Sequence, residues 1–448
     1  MNTKMWHASL AQFKLLLSNQ SVRATKLFYS LIDQVFSTGA VFLANVVLAR
    51  AGTMAEYGAF TLTYSIFTFL SGIHNALLLE PYSVFSSGKY RNRFPDYVQL
   101  ILRSNLIIGL SLSGLIFFLA GILFLLKPEW FSSTMLGLAG SILFLLTGGV
   151  FRRIYYAKFD SKSAAHMSVI FFTVVCLGLT GFYYYGKITG LTVFLVLSLG
   201  WIVVSPMFLR TYPMGSGSQH FLIDHQDYWV EHWRYSRWVL ATALVFQAIN
   251  QGYYWIVGGL LTVEDVARLK AVQNVVLPMN LIFNSFSLLV LPRMSMTFQQ
   301  KSVNGLQIIV WKVIMLLLTV AVTFFIWILL FGKEILDLMY SGKYTSSAHL
   351  LYIIGLTPIP LMVGNIFNDA LKAMEQPKWV FYAYVGGGGV TIALGIPMVH
   401  GLGLVGAVWG ILASSVAYGL MLFGGFYWGC QVNAMRNVEV APEVQADR

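Results

Sequence analysis

The first long apolar stretch of the chain, residues 27–85, reads LFYSLIDQVFSTGAVFLANVVLARAGTMAEYGAFTLTYSIFTFLSGIHNALLLEPYSVF. It contains two apolar runs separated by a short turn, Arg50–Tyr57. Polar side chains of the second run recur at steps of three and four residues, on one face of a helix: Tyr57, Thr61, Tyr64, Thr68, Ser71 and Asn75. Because lipid does not solvate polar groups, we expect this polar stripe to face other helices or a water-filled cavity.

The composition is that of an integral membrane protein. The 448 residues are 57% hydrophobic and 10% charged, whereas soluble domains are about 45–50% apolar and about 25% charged. Apolar runs of about twenty residues span a bilayer, and about twelve are present: 28–50, 58–82, 99–126, 134–156, 165–186, 189–209, 238–260, 267–291, 308–331, 347–371, 379–399 and 403–428. The first run is long and lacks a small-residue cleavage site after it, so we expect a retained span.

The net charge of +11 is explained by topology. If the N-terminus is inside and the spans alternate, most of the 29 lysines and arginines fall in cytoplasmic segments. The positive-inside rule then predicts a multi-pass membrane protein with both termini in the cytoplasm. Nucleic-acid binding is not expected.

Segment lengths and composition predict five parts: a cytoplasmic N-terminal segment 1–27, an N-lobe 28–209, a cytoplasmic linker 210–237, a C-lobe 238–428 and a cytoplasmic tail 429–448. The spacing of apolar residues in the first segment suits either an interfacial helix or a disordered tail. The histidines and acidic residues of the linker suit a surface segment better than a metal site. Gly401, Gly403 and Gly406 spell GxGxxG but open a membrane helix, so no dinucleotide cofactor is expected. Gly406 and Gly410 are instead predicted to be a close-packing GxxxG pair.

Weak internal matches predict two six-helix halves. A shift of 209 residues places Thr53 on Thr262, Glu56 on Asp265 and Asn75 on Asn284, and a shift of 216 places Gly148–Phe151 on Gly364–Phe367. Both halves start inside, so they are parallel repeats related by an axis along the membrane normal. The prediction is an all-α integral membrane protein of about twelve transmembrane helices, in two six-helix pseudo-symmetric lobes around a central cavity.

Polar faces of the first, second, seventh and eighth spans are expected to line that cavity. The predicted lining residues are Gln34, Tyr64, Thr68, Asn75, Gln247, Asn250, Gln273, Asn280 and Asn284. For each residue alone, pairing across tightly packed helices is the alternative.

Charged residues at membrane depth are expensive unless paired or solvated, and they supply the remaining candidates. Asp33 either binds a coupling cation or proton or pairs with a basic neighbour, and Asp369 is the second candidate for coupling. Basic candidates for an anionic lipid headgroup lie near helix ends: Arg50, Arg152, Arg153, Arg268 and Lys270. Arg152 and Arg153 are equally accounted for as basic residues flanking an inner helix end.

Several short motifs resemble one transporter family. They are Ser30-Leu-Ile-Asp-Gln34, Leu48-Ala-Arg50, Glu56-Tyr-Gly58, Arg152-Arg-Ile-Tyr-Tyr-Ala157 and Arg268-Leu-Lys-Ala-Val-Gln-Asn274. Together they resemble the polysaccharide-biosynthesis flippases (O-antigen and exopolysaccharide) of the multidrug/oligosaccharidyl-lipid/polysaccharide exporter superfamily. The resemblance implies a non-enzymatic inner-membrane flippase with two lobes around a V-shaped cavity.

The resemblance also implies a substrate and a mechanism. The expected substrate is an undecaprenyl-pyrophosphate-linked oligosaccharide, moved between leaflets by alternating access while its lipid tail stays in the bilayer. An ion gradient or the membrane potential would drive it, with a cation or proton as coupling partner.

Three other functions are compatible with the sequence. One is a drug/cation antiporter of the same fold, which would need an acidic cavity. A membrane-embedded glycan polymerase or ligase would need a large outer loop, and the predicted outer loops are short. The third is a non-transporting partner in an export complex.

Overall fold

A computed structural model describes residues 3–86, 89–126, 129–212 and 225–440 of the chain. These residues form helices joined by short turns, and no strand occurs among them. Contacts between residues divide the chain into two compact units, Met1–Ala241 and Thr242–Arg448.

The first unit consists of seven helices and the start of an eighth. They are α1 (Thr3–Ala51), α2 (Met54–His74), α3 (Glu80–Phe85), α4 (Phe94–Leu126), α5 (Glu129–Ala157), α6 (Ser161–Tyr184), α7 (Gly190–Thr211) and α8 (His225–Leu260). A π-helical segment, Asn75–Leu79, joins α2 to α3. The interior packs through aromatic stacking, with Phe151 and Phe208 at 3.9 Å between ring centroids and Phe171 and Trp201 at 4.5 Å. Such packing stabilises helix pairs in lipid, where burial of apolar surface from water contributes little.

The second unit contains the rest of α8 and five further helices. They are α9 (Val263–Tyr340), α10 (Ala348–Ile354), α11 (Pro358–Ala373), α12 (Pro377–Val390) and α13 (Ile396–Val440). A second π-helical segment, Thr391–Gly395, joins α12 to α13. Phe367 of α11 belongs to a buried cluster and packs against Trp311, Phe423 and Phe426.

Nine segments of the described chain are long and apolar enough to cross a membrane. The difference from about twelve predicted spans has two causes. The eleventh and twelfth predicted spans fall within one such segment, Lys378–Val432. The seventh and eighth fall on α8 and the first part of α9, which are helical but carry interior Asn, Gln and Lys residues that lower their hydropathy. The chain is a multi-pass membrane protein.

Two predicted breaks between spans fall inside single helices, α9 and α13. The predicted break between the eighth and ninth spans is continuous helix within α9. A straight helix of 78 residues would extend about 117 Å at about 1.5 Å per residue. One crevice is lined by the α9 residues Phe283, Phe286, Ser287, Val290, Val313 and Leu317, so α9 bends between Val290 and Val313. The break between the last two spans is real, because Gly403 has φ 61° and ψ −137° inside α13.

The terminal and linker segments are helical where they are described. Helix α1 begins at Thr3, within the predicted N-terminal segment, and α13 continues to Val440, within the predicted tail. Of the predicted linker 210–237, residues 225–237 form the first turns of α8. Residues 213–224 and 441–448 lie outside the described part.

The internal matches coincide with shared local structure. Thr53 and Glu56 form a capping box at the start of α2, and Thr262 and Asp265 form one at the start of α9. A Cβ atom added to Gly148 would lie 2.2 Å from the Trp201 ring, and one added to Gly364 would lie 3.0 Å from the Tyr418 ring. Both glycines therefore admit an aromatic ring from a later helix.

Candidate functional site

A polar cavity of about 580 Å³ lies within the second unit. Helices α8, α9, α11, α12 and α13 contribute to its wall. The side chains with amide, hydroxyl or charged groups on the wall are Asn250, Tyr253, Tyr254, Lys270, Gln273, Asn274, Asn280, Ser287, Thr357, Asn365, Asn368, Asp369, Lys372, Tyr384, Ser414, Ser415 and Tyr418. We call this the C-unit cavity.

The cavity is long because one face of α9 follows it. The cavity-lining residues of α9 recur at helical spacing: Lys270, Gln273, Asn274, Val276, Leu277, Asn280, Phe283 and Ser287. From Lys270 to Ser287 this face extends roughly 25 Å at 1.5 Å per residue, close to the roughly 30 Å thickness of a bilayer core. Lys270 marks one end, and Ser287 with Asp369 and Lys372 of α11 marks the other.

At the first end of the cavity, the Lys270 side chain contacts an aromatic residue, Tyr254, rather than an acidic residue. Its Nζ lies 3.4 Å from Tyr254 Oη and 5.4 Å from the centroid of the Tyr254 ring. Tyr254 donates in turn to Gln273 Oε1. Among the described residues no carboxylate oxygen lies within 4 Å of Lys270 Nζ, so its charge is not neutralised by an ion pair.

At the other end, Asp369 is buried and only partly satisfied. Ser287 Oγ donates to Asp369 Oδ2. Asp369 Oδ1 lies 3.9 Å from Lys372 Nζ, beyond hydrogen-bond distance. The Asp369 side chain is 8% exposed and that of Lys372 is 48% exposed.

A tyrosine and two asparagines continue the wall beside Asp369. Tyr418 Oη lies 3.4 Å from Asn368 Nδ2, which donates to it, and 3.2 Å from Asn365 Oδ1. The Tyr384 and Tyr418 rings stack with centroids 5.1 Å apart. The buried Oδ1 of Asn368 has no hydrogen-bond partner, which leaves an acceptor beside the cavity.

In the first unit, Asp33 pairs with a basic neighbour. Arg152 Nε lies 3.0 Å from Asp33 Oδ1, and Arg152 Nη2 lies 2.7 Å from Oδ2. Tyr156 Oη donates to Oδ2 at 2.6 Å, and Ser168 Oγ donates to Oδ1. Asp33 is fully buried, and both of its carboxylate oxygens are satisfied by side chains of α5 and α6.

Arg153 and Asn75, predicted in different roles, form a second cluster of the first unit with Glu80. Arg153 Nη2 donates to Asn75 Oδ1 at 2.8 Å and to Glu80 Oε1 at 3.3 Å. Asn75 Nδ2 also donates to Glu80 Oε1. Asn75 opens the π-helical segment, a distortion frequent at functional sites.

Other predicted residues of the first unit have local partners or lie exposed. Tyr64 stacks on Phe60 and is half-buried, and Thr68 bonds to the Tyr64 carbonyl of its own helix. Gln34 is exposed on α1, and Arg50 is exposed in its last turn.

In the second unit, four predicted residues line the C-unit cavity together with Asp369: Asn250, Lys270, Gln273 and Asn280. Gln247 is half-buried on α8 and does not line it. Arg268 Nη1 pairs with the capping residue Asp265 at 3.0 Å. The side chain of Asn284 lies outside the described part.

Sequence reasoning missed several wall residues of the cavity. Lys372 follows Asp369 by three positions, and that spacing on a helix is a sufficient signal for the pair. Ser287, Tyr384 and Tyr418 come from three other helices, so no local pattern connects them to Asp369.

The chain has the fold of transporters of the MOP superfamily. A solved structure of a multidrug resistance MATE family transporter in the inward-facing conformation is 12% identical, with a TM-score of 0.76 over 91% of this chain and 98% of that chain. The lipid II flippase MurJ, in an inward closed conformation, is 15% identical, with a TM-score of 0.71 over 88% and 87%.

A MOP superfamily transporter from Pyrococcus furiosus Vc1 (DSM3638), described by a reverse polarity of its binding pocket, is 13% identical, with a TM-score of 0.64 over 92% and 95%. No protein-family model and no curated protein sequence matches the chain. At these identities the likeness shows the fold alone.

Proposed function

We propose that this protein is a flippase for a lipid-linked oligosaccharide, with an undecaprenyl-pyrophosphate-linked glycan as substrate. The observation that carries the proposal is the C-unit cavity, a long polar groove with an unneutralised lysine at one end. Solved structures of the same fold include both a lipid II flippase and drug transporters, so the choice between substrates depends on the chemistry of the wall.

The wall is suited to a sugar. Amide side chains donate and accept hydrogen bonds at once, and tyrosine and serine hydroxyls do the same. A glycan presents many hydroxyl groups of the same dual character. Most ligand pockets are lined mainly by apolar side chains with few polar groups, whereas this wall carries Asn, Gln, Tyr, Ser and Thr residues along its length.

The charge of the cavity favours an anionic group. Its charged residues are Lys270, Lys372 and Asp369. Asp369 and Lys372 face each other, which leaves Lys270 as a cation for a phosphate oxygen. Arg153, shared between Asn75 and Glu80, is a second cationic candidate in the first unit.

In this proposal about twelve transmembrane helices form two lobes, which rock to give alternating access to a central cavity in the inner membrane, with both termini in the cytoplasm. The glycan and pyrophosphate enter the polar groove while the prenyl chain remains in lipid. Asp369 carries ion coupling, because it is partly satisfied and lines the cavity, whereas Asp33 is saturated by its neighbours.

A drug/cation antiporter is the second candidate. It is favoured by the MATE transporters among the solved structures and by the buried carboxylate of Asp369. An organic cation would bind next to Asp369 and would be repelled by Lys270. The two proposals therefore predict opposite effects when Lys270 loses its charge.

Binding to the purified protein tests the proposal. Replacing Lys270 by Gln should weaken binding of a pyrophosphate-linked oligosaccharide roughly tenfold, because a charge-assisted hydrogen bond is lost. Lys333→Gln on the exposed surface of the same helix is the matched control and should leave binding unchanged. Tighter binding of an organic cation by Lys270→Gln, with no binding of the glycan by either protein, would establish the antiporter instead.

A further inference from the structure

Among the residues whose side chains are described, Asp33 and Asp369 are the buried aspartates, and they differ in how far their charge is compensated. The oxygens of Asp33 accept hydrogen bonds from Arg152, Tyr156 and Ser168. Asp369 accepts one from Ser287, and its other oxygen faces only Lys372, at 3.9 Å. An ionised carboxylate that is 8% exposed depends on its nearest cation. The ionised form of Asp369 therefore depends on Lys372, which it contacts only at this long distance.

Lys372 is placed to leave that pair. Its side chain is 48% exposed and lines the C-unit cavity. At 3.9 Å the ion pair includes no hydrogen bond, and half-exposed pairs of this kind contribute little to stability. A phosphate oxygen in the cavity offers Lys372 a charge-assisted hydrogen bond in place of this long contact.

The departure of Lys372 would leave Asp369 without a cation. Lys270, the other lysine of the wall, is separated from Ser287 by roughly 25 Å along α9, too far to replace it. The titratable groups that line the cavity from the helices packed against Asp369 are Tyr384 and Tyr418, which are neutral at ordinary pH. An unpaired carboxylate in this position is more stable when protonated.

We propose that Lys372 is a switchable counter-ion that couples anion binding to proton uptake at Asp369. When a phosphate group moves along the cavity from Lys270 to the end at Asp369, Lys372 transfers its ion pair from Asp369 to a phosphate oxygen. The Asp369 carboxylate then takes one proton from hydronium or a buffer acid, whose conjugate base stays in solution, and becomes a carboxylic acid; no other covalent bond changes. On departure of the anion the proton leaves and the original pair forms again. The proposal rests on the proposed function for the identity of the ligand as a pyrophosphate ester.

Proton uptake on anion binding tests this directly. Inorganic pyrophosphate is titrated into the purified full-length protein in weak buffer with a pH indicator, and the signal of Asp369→Asn is subtracted from that of the wild type. The subtraction removes protons exchanged by pyrophosphate itself. The expected difference is about one proton per bound anion. Asp369→Asn should still bind pyrophosphate, up to about fivefold tighter, because Lys372 is released.

Lysine variants identify the switch. Lys372→Gln should bind pyrophosphate roughly tenfold more weakly and lose the Asp369-dependent proton uptake. Lys378→Gln is the matched control, because Lys378 is exposed, lies over the Trp428 ring and is outside the cavity wall. It should behave as the wild type. Thermal unfolding of each variant checks that it folds.

Two outcomes would overturn the proposal. One is pyrophosphate binding with no difference in proton uptake between the wild type and Asp369→Asn. The other is uptake that persists in folded Lys372→Gln at saturating anion. Neither result depends on lipid transport, so a protein that takes up the proton but does not flip lipid-linked glycan would refute the flippase and leave the switch standing.

Discussion

At the residue scale, Asp33 and Asp369 differ in the number of groups that compensate their charge. Asp33 and Arg152 satisfy each other within the first unit, with Tyr156 and Ser168 completing the contacts. Asp369 has a hydrogen bond to Ser287 and a long contact to Lys372, and it faces a cavity. The number of partners, rather than burial, separates a carboxylate that stabilises the fold from one that is available for chemistry.

Asparagine substitutions should separate the two roles. Asp33→Asn leaves Arg152 without its counter-charge and should lower the free energy of unfolding by about 2–3 kcal/mol, less than for a fully buried pair because Arg152 is partly exposed. Asp369→Asn should change it by less than about 1 kcal/mol, because only a long, half-exposed ion pair is lost.

Thermal or denaturant unfolding in detergent measures both values. Equal destabilisation by the two variants would contradict the distinction. An Asp33→Asn protein with full stability and no transport would assign ion coupling to Asp33 instead of Asp369.

At the element scale, the positions of the helices can be predicted from the sequence, whereas the residues that they contact on other helices cannot. Periodic apolar residues predict spans, and the positions of Asn250, Gln273 and Asn280 on one face predict that they point the same way. The contact between Asp33 and Arg152 joins residues 119 positions apart, and periodicity contains no information on such partners. The bend within α9 was equally hidden, because a helical bend and a loop both interrupt an apolar run.

Glycine substitutions test the packing of the last helix hairpin. A Cβ atom at Gly406 would lie 1.8 Å from the Met398 carbonyl oxygen, whereas one at Gly401 would meet nothing within 4 Å. Gly406→Ala should therefore lower the free energy of unfolding by about 1–3 kcal/mol through overpacking. Gly401→Ala should leave it unchanged or raise it by up to about 1 kcal/mol, because alanine favours helix. Thermal unfolding of the two variants side by side gives the comparison, and an unstable Gly401→Ala with a stable Gly406→Ala would contradict the packing.

The start of α8 packs against the rest of the first unit through a cluster of ionisable side chains around His232. His232 is buried, lies 2.8 Å from Tyr97 Oη through its Nε2, and contacts the Tyr228 ring. Burial lowers the pKa of His232 to about 4. Burial raises the pKa of the neighbouring Glu231 carboxyl. Hydrogen bonds from Lys89 and Tyr90 lower this pKa, and the net shift is downward.

Acid should therefore loosen this attachment. Between pH 6.5 and about 4, His232 binds a proton in the unfolded segment and not in the folded one. The stability that neutral His232 contributes is therefore fully present above pH 6.5 and is lost as the pH falls. Hydrogen exchange of residues 225–240, corrected for intrinsic rates, should be faster at pH 5 than at pH 7. His232→Gln should remove most of that difference, and His349→Gln, an exposed histidine of α10, should not. Equal protection at both pH values would contradict the burial of a neutral histidine.

At the scale of the whole molecule, the fold is shared by transporters of different substrates, so it does not identify the cargo. The distribution of the 29 lysines and arginines, most of which fall in predicted cytoplasmic segments, predicts topology. Specificity is expected from the polarity of the groove: amide and hydroxyl groups for the glycan, Lys270 for the phosphate, and the Asp369–Lys372 pair for coupling.

Transport in reconstituted vesicles tests the central claim most directly. Labelled undecaprenyl-pyrophosphate-linked oligosaccharide and a fluorescent organic cation are supplied to the same vesicles under a proton gradient. We predict that the wild-type protein moves the labelled glycan to the opposite leaflet and does not move the cation, and that Lys270→Gln and Asp369→Asn lose glycan transport while Lys333→Gln retains it. Movement of the cation without movement of the glycan would contradict the account.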